Sequence, residues 1–172
     1  MVIKTLSLRG APVTYDTIHV LLPADRLEVG RIVNDWGHFS PAAIREALEF
    51  CDEAACHPFQ EYYGYCAKRS ATVSGFIIFG LAPLADRCWD LYWIGVAPRF
   101  TRQGVGRTLL GYMETVVIGQ HGRQIHVETS SRPAFAPARA LYETMGFFRK
   151  ACMADYFCPG DDKLIYVKTI SA

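Results

Sequence analysis

Residues 88–108 read Cys-Trp-Asp-Leu-Tyr-Trp-Ile-Gly-Val-Ala-Pro-Arg-Phe-Thr-Arg-Gln-Gly-Val-Gly-Arg-Thr, and the hydrophobic period changes within them. From Cys88 to Val96 aromatic and β-branched residues dominate, as they do in a strand. Ala97-Pro98 stops that strand, and the loop Arg99-Phe100-Thr101-Arg102-Gln103 follows. Gly104-Val105-Gly106 then opens a helix through Ile118, whose apolar face is Val105, Leu109, Tyr112, Met113 and Val116. A helix start that follows a strand offers unpaired backbone N–H groups and the positive end of the helix dipole, so it can hold an anion. Two glycines at that turn remove side chains that would keep a phosphate from the backbone. Arg102 and Arg107 flank it with positive charge. The other reading of Gly104-x-Gly106 is close packing of the helix. The next glycine is Gly111, outside the G-x-G-x-x-G frame of a dinucleotide site, and the P-loop spacing is also missing.

Working outward, Thr17 to Leu22 reads as a short strand stopped by Pro23, and Ala24 to Asp35 as a helix carrying Leu27, Ile32 and Val33, ended by Gly37. Ser40-Pro41 is a capping hydroxyl with proline at the first helical position, and Ile44, Ala47, Leu48 and Cys51 continue at helical spacing. Strands are predicted at Glu61–Ala67 and Ala71–Phe79, then after the central helix at 124–129, 147–156 and 164–169. A last helix spans 137–145 and ends at Gly146. The order β-α-α-β-β-β-α-β-α-β-β implies an α/β sheet with helices packed on its faces.

The helix 137–145 lies in the run Ala138-Arg139-Ala140-Leu141-Tyr142-Glu143-Thr144-Met145-Gly146-Phe147. With the strand–Val-x-Pro–loop–Gly-x-Gly–helix segment before it, this run resembles the two consecutive motifs of the GCN5-related N-acetyltransferase (GNAT) family. The resemblance covers residues 88–147 and extends through the order of elements from Thr17 to Lys168. It implies a mixed, largely antiparallel sheet of about six or seven strands, splayed at a cofactor cleft, with helices on both faces.

The same resemblance implies acetyl-CoA as co-substrate. Its pantetheine arm would pair with the backbone of Ile94, Gly95 and Val96, and its pyrophosphate would rest on N–H groups of Gln103, Gly104, Val105, Gly106, Arg107 and Thr108. The family's turn commonly has Arg or Gln and then Gly where this chain has Thr101 and Arg102, so Arg102 either becomes the charged partner or faces solvent. An Asn often found seven residues before the motif's Tyr is replaced by Phe135. Tyr142 matches the position that protonates the departing thiolate, a task that suits a phenol. Asp90 and Tyr92 share one face of their strand, and Glu128 and His126 share a face of the next. Asp90 and Glu128 are candidate bases for the attacking amine, Glu128 ahead because it lies where the cleft should open; His126 reads as a packed or solvated histidine. The acceptor amine should be chosen by residues 24–53, the strand 61–65 and the loop 155–162. Trp36, Phe39, Tyr62, Tyr63 and Tyr156 are candidate wall residues, or core, and Asp155, Asp161 and Asp162 are candidate attractors of a cation, or a solvated turn.

Lys and Arg number 18 against 17 Asp and Glu, so charge balance points away from a nucleic-acid binder. The length of 172 residues suits one domain, read here as a leader at 1–16 and an acetyltransferase domain at 17–170. The six cysteines (Cys51, Cys56, Cys66, Cys88, Cys152, Cys158) contain no C-x-x-C pair, so no metal site is expected and they read as reduced thiols filling the core. Neither the N-terminal run nor residues 70–85 suits a secretory signal or a membrane span, so the chain is expected to be cytoplasmic, away from membranes, as a monomer or homodimer. Two alternatives to an acyltransferase stand beside it: a non-catalytic acyl-CoA sensor, and an unrelated α/β interaction module.

Overall fold

A computed structural model describes residues 16–170; apart from Asp16, the leader lies outside the described residues. The strands are β1 (Thr17–Val20), β2 (Tyr62–Arg69), β3 (Thr72–Leu81), β4 (Cys88–Val96), β5 (Gln124–Ser130), β6 (Phe148–Cys158) and β7 (Asp161–Thr169). The helices are α1 (Arg26–Asp35), α2 (Pro41–Cys56), α3 (Val105–Gly119) and α4 (Ala136–Thr144). The seven strands form one sheet in the order β1-β2-β3-β4-β5-β7-β6. Among the described residues β4 and β5 run parallel and every other neighbouring pair is antiparallel.

Each helix starts and stops where local chemistry directs. The Ser40 hydroxyl accepts from Ala43 N–H at 3.1 Å, and Pro41 follows at the first helical position. Gly37 and Gly146 adopt φ of +67° and +83°, which let the chain leave α1 and α4.

Two apolar clusters hold the layers together, one on each face. α1 and α2 bury Val29, Ile32, Val33, Ala47 and Cys51 against Phe76 and Ile78. α3 and α4 bury Val105, Leu109, Met113 and Tyr142 against Ile77, Phe79, Trp89, Leu91 and Ile125. Each large apolar side chain buried this way contributes about 1.5–3 kcal/mol. Leu27, assigned by spacing to the inner face of α1, is 64% exposed; Val29 takes that place. No helix among the described residues is long and apolar enough to cross a membrane.

The cysteines divide evenly. Cys51, Cys66 and Cys88 are buried, whereas Cys56, Cys152 and Cys158 are exposed, so core filling describes only half of the set. Burial pushes the Cys51 thiol up to about 12 and the Cys66 thiol higher still, which keeps both protonated and unreactive.

Candidate active site

The opening in the sheet has an identifiable cause. β4 and β5 pair at Cys88↔Gln124, Trp89↔Ile125, Asp90↔His126 and Leu91↔Val127, and there the pairing ends although both strands continue. On its other edge β4 pairs Trp93 with Ile78 but Leu91 with Phe79, so Tyr92 is an extra, bulged residue. A bulge bends its strand and sharpens the twist. Its position, immediately after the last β5 pair, swings the end of β4 away from β5. It also turns Tyr92 and Trp93 to the same face: Tyr92 stacks on Phe50 of α2 at 5.0 Å, and Trp93 meets Phe39 at 5.4 Å.

Beyond the bulge β4 has a bare edge. Ala97 N–H bonds the Ser74 carbonyl at 2.9 Å, and antiparallel pairs alternate between bonded and non-bonded. Gly95 and Trp93 therefore bond back to β3, while Ile94 and Val96 turn their backbone groups into the splay. The Trp36 indole N–H already donates to the Val96 carbonyl at 3.0 Å. What remains is the N–H and C=O of Ile94 and the N–H of Val96.

At the end of β4 the chain turns into α3. From Arg102 to Arg107, backbone N–H groups make no well-formed hydrogen bond among the described residues, whereas Thr108 N–H closes the first helical turn on the Gly104 carbonyl at 2.9 Å. Thr108, assigned with the others as a backbone donor, therefore brings only its hydroxyl. The two glycines have different jobs. Gly104 has φ +87° and open space where a side chain would stand. A Cβ on Gly106 would lie 2.9 Å from Leu141 Cδ2, so this glycine lets α4 lie against α3. The packing reading of the Gly-x-Gly pair thus holds at Gly106, whereas Gly104 leaves the backbone of the turn uncovered. Arg102 sits at φ +57°, a conformation that favours glycine, and its side chain is exposed.

The turn is anchored by residues that sequence spacing did not single out. Arg69, at the end of β2, donates to the Gln103 side-chain carbonyl and to Asp16 at 2.7 Å, and its guanidinium lies 5.3 Å from the Phe100 ring centre. Asp16 also accepts from the Ser74 hydroxyl at 2.7 Å, and Gln103 donates to the Arg99 carbonyl at 2.9 Å. Arg69 stands 34 residues before Gln103, so no local motif could reveal the link.

The close approach at Gly106 fixes α4, and α4 presents Tyr142. That residue is 4% exposed, with ring centres 6.0 Å from both Phe147 and Tyr166. Its hydroxyl has no hydrogen-bond partner among the described residues. Burial alone pushes the phenol far above its ordinary pKa, so it stays protonated.

On the opposite face, toward α1 and α2, strand register places the two candidate carboxylates. Asp90 and His126 are direct neighbours across β4 and β5, with Asp90 Oδ1 3.3 Å from His126 Nδ1. The other imidazole nitrogen lies 3.2 Å from Gln124 Oε1. Desolvation raises the Asp90 carboxyl above its ordinary value; His126 draws it back down and Glu128 adds to the rise. Glu128 follows the last β4–β5 pair, as anticipated, but its carboxylate is 2.5 Å from Lys163 Nζ, which also lies over the Tyr156 ring at 4.0 Å. His126, read from sequence as merely packed or solvated, is tied to Asp90; a pair across parallel strands cannot be seen from spacing along one strand.

The predicted acceptor residues separate. Trp36, Phe39 and Tyr62 lie on the α1/α2 face. Tyr63 lies on the other face, in a groove of about 580 Å³ between β2 and α3 that also contains Phe59, Tyr65 and Tyr112 and lies away from the splay. The three aspartates are occupied, two in shaping the β6–β7 hairpin and one in tying β7 to the end of β5. Asp155 accepts from Gly160 N–H at 2.6 Å, Asp162 accepts from Asp155 N–H at 3.0 Å, and buried Asp161 accepts from the Ser130 hydroxyl. No cluster of metal-ligating side chains occurs among the described residues.

Residues 31–147 match the profile of the Acetyltransferase (GNAT) family. A GNAT-family protein from Desulfovibrio desulfuricans is 34% identical, superposes with a TM-score of 0.85, and is covered over 99% of its length by 91% of this chain. The ribosomal-protein-S18-alanine N-acetyltransferase of Escherichia coli shares the fold at 22% identity and a TM-score of 0.74, over 91% of this chain and 95% of that one. An aminoglycoside 6′-N-acetyltransferase solved with coenzyme A shares it at 15% identity and a TM-score of 0.71, over 91% of this chain and 98% of that one. No curated protein matches the chain at a significant level.

Proposed function

Because the chain belongs to the acetyltransferase (GNAT) family, we propose that it is an N-acyltransferase that moves an acetyl group from acetyl-CoA to an amine, by direct attack in a ternary complex. The observation that carries this reading is the run of N–H groups without a well-formed hydrogen bond from Arg102 to Arg107, at the foot of the splay beside the open side of Gly104. Such a run suits a pyrophosphate, because oriented backbone dipoles hold an anion without a basic surface. Ile94 and Val96 offer an edge with strand geometry to the amides of a pantetheine arm. The bound thioester supplies an activated acyl carbon. The chain's own groups do the rest.

Transfer forms a carbon–nitrogen bond and breaks a carbon–sulfur bond; the amine loses one proton and the departing thiolate gains one. Tyr142 gives the second proton. Its phenol is kept neutral by burial, and among the described residues its hydroxyl is engaged by no other group. Asp90 takes the first, directly or through water. Its raised affinity for protons makes it a better base than an ordinary aspartate, and His126 orients it. Glu128, already paired with Lys163, bounds the acceptor's path without meeting its charge. The backbone N–H groups of Ile94 and Val96 stand on the bare edge where they can polarise the thioester carbonyl. The six free thiols, three of them at the surface, support a reducing compartment such as the cytoplasm.

Thermal denaturation with acetyl-CoA tests the reading first. At a hundredfold excess over Kd the ligand contributes about 2.7 kcal/mol, a rise in Tm of roughly 5–10 °C for a chain of this size. Release of free thiol that depends on an added amine then separates an enzyme from a sensor. No stabilisation by acetyl-CoA would reject the proposal.

A further inference from the structure

Resting on the acyltransferase reading, we infer that the acceptor is a singly charged amine carried on a short linker from an apolar or aromatic body, and not a polycation. On one face of the sheet α3 and α4 cover the diverging strands with buried Val105 and Tyr142 and half-buried Leu141. The acceptor must therefore approach from the α1/α2 face.

That approach is rimmed by rings from three separate segments. Trp93 projects from the diverging end of β4, His38 and Phe39 come from the α1–α2 connection, and Phe135 comes from the turn after β5. Phe39 meets Trp93 at 5.4 Å and Phe135 at 5.7 Å, and His38 meets Phe39 at 4.5 Å and Phe135 at 4.8 Å. The chain of contacts spans the gap where β4 and β5 part. Each of these rings is only half-buried, so the rim keeps apolar surface for a ligand.

Charge at the floor is as selective as the rim. Asp90 and Glu128 are the carboxylates that β4 and β5 bring to this face, and Glu128 is neutralised by Lys163 at 2.5 Å. One carboxylate, Asp90, is left to meet one ammonium. An acceptor with several ammonium groups would have to strip water from the others against the aromatic rings, because the further carboxylates of this face, Glu53 and Glu61, act on Tyr62 and Tyr92 rather than on the rim rings. An amine with an apolar body leaves its hydrocarbon on Phe39, Trp93 and Phe135 and sets its nitrogen toward Asp90. Both a small arylalkylamine and a peptide beginning with a large apolar residue have this chemistry.

The test uses the full chain, with acetyl-CoA binding established by thermal shift and thiol release followed for 2-phenylethylamine, n-butylamine, a phenylalanine-initiated peptide, spermidine and kanamycin. We expect kcat/KM for 2-phenylethylamine or the peptide to exceed that for spermidine and kanamycin by about tenfold or more. Whichever of the two is the better substrate identifies the source of the amine. Phe135→Leu, which keeps an apolar side chain, and Phe135→Ala should raise KM for the better substrate in that order, the alanine variant by about tenfold, with a smaller rise for n-butylamine, whose short body covers less of the rim. Equal or better use of spermidine or kanamycin would overturn the acceptor class while leaving the acyltransferase reading intact. So would equal losses for n-butylamine and 2-phenylethylamine in both variants. Failure of acetyl-CoA to shift Tm would overturn both readings.

Discussion

Tyr142→Phe separates the proposed chemistry from the packing of the residue that performs it. The phenol is 4% exposed, and its ring stands 6.0 Å from Phe147 and from Tyr166. Phenylalanine fills the same space, so those contacts survive. The hydroxyl has no partner among the described residues, so its removal orphans no donor or acceptor there. A buried hydroxyl without a partner costs about 1–3 kcal/mol. Because its oxygen is not fully sealed from solvent, the variant should gain only about 1 kcal/mol, a rise in Tm of roughly 2–4 °C. Turnover should move the other way. Loss of a general acid lowers kcat by about 10²–10⁴-fold, which is about 3–5 kcal/mol of activation free energy. Thiol release at saturating acetyl-CoA and amine measures the first quantity, calorimetric unfolding the second, and titration calorimetry should find the acetyl-CoA Kd unchanged within about twofold. A kcat within threefold of the parent chain refutes Tyr142 as the acid. A fall in Tm of several degrees refutes the claim that its hydroxyl is unbonded.

Asp90→Asn should lower kcat/KM by tenfold or more and remove the acidic limb of its pH profile. In the parent chain that limb should lie above the ordinary aspartate range, since burial raises this carboxyl despite His126 beside it. A raised carboxyl pKa stabilises the fold when protonated, and that contribution is lost as pH climbs through the folded value. Asp90→Asn should therefore gain thermal stability over the parent near pH 7 and show no such gain near pH 3; the reverse trend would sink the desolvation account. Arg102→Gly relieves a left-handed residue at φ +57°, which after the entropy of the added glycine should be worth about 0.5 kcal/mol. Its acetyl-CoA Kd should rise no more than about threefold, because in the proposed site backbone N–H groups carry the phosphates; a loss above thirtyfold would make the side chain the main phosphate contact. Arg69→Lys keeps a cation opposite Asp16 but cannot also fork to Gln103, so acetyl-CoA affinity should fall by about three- to tenfold with nearly unchanged Tm. Unchanged affinity would show that the Gln103 anchor does not matter.

Much of the fold was written locally. The switch from period two to helical period after Val96, the proline-led start at Ser40-Pro41 and the glycine stops at Gly37 and Gly146 are short-range signals, and the observed elements begin and end within a few residues of them. Leu27 shows the limit. Period alone could not choose between Leu27 and Val29, because the sheet that selects the inner face is built from residues far along the chain. The exposed thiols of Cys56, Cys152 and Cys158 have the same origin: an apolar neighbourhood in sequence is not a buried one in space.

What the sequence determined by itself was the Gly104-Val105-Gly106 turn, the Tyr142 segment and the family they announce, because those properties belong to backbone conformation and spacing within one strand–turn–helix unit. Tertiary structure decided which groups share the cleft. The bulge at Tyr92 exists only relative to β3. The Asp90–His126 pair exists only in the parallel register of β4 with β5. The neutralising of Glu128 required Lys163 from β7, and the aromatic rim required segments nearly a hundred residues apart in the chain. A side chain's charge, shelter and partners are set by what packs across from it, and that is a property of strand register and layer contacts, which no local pattern records.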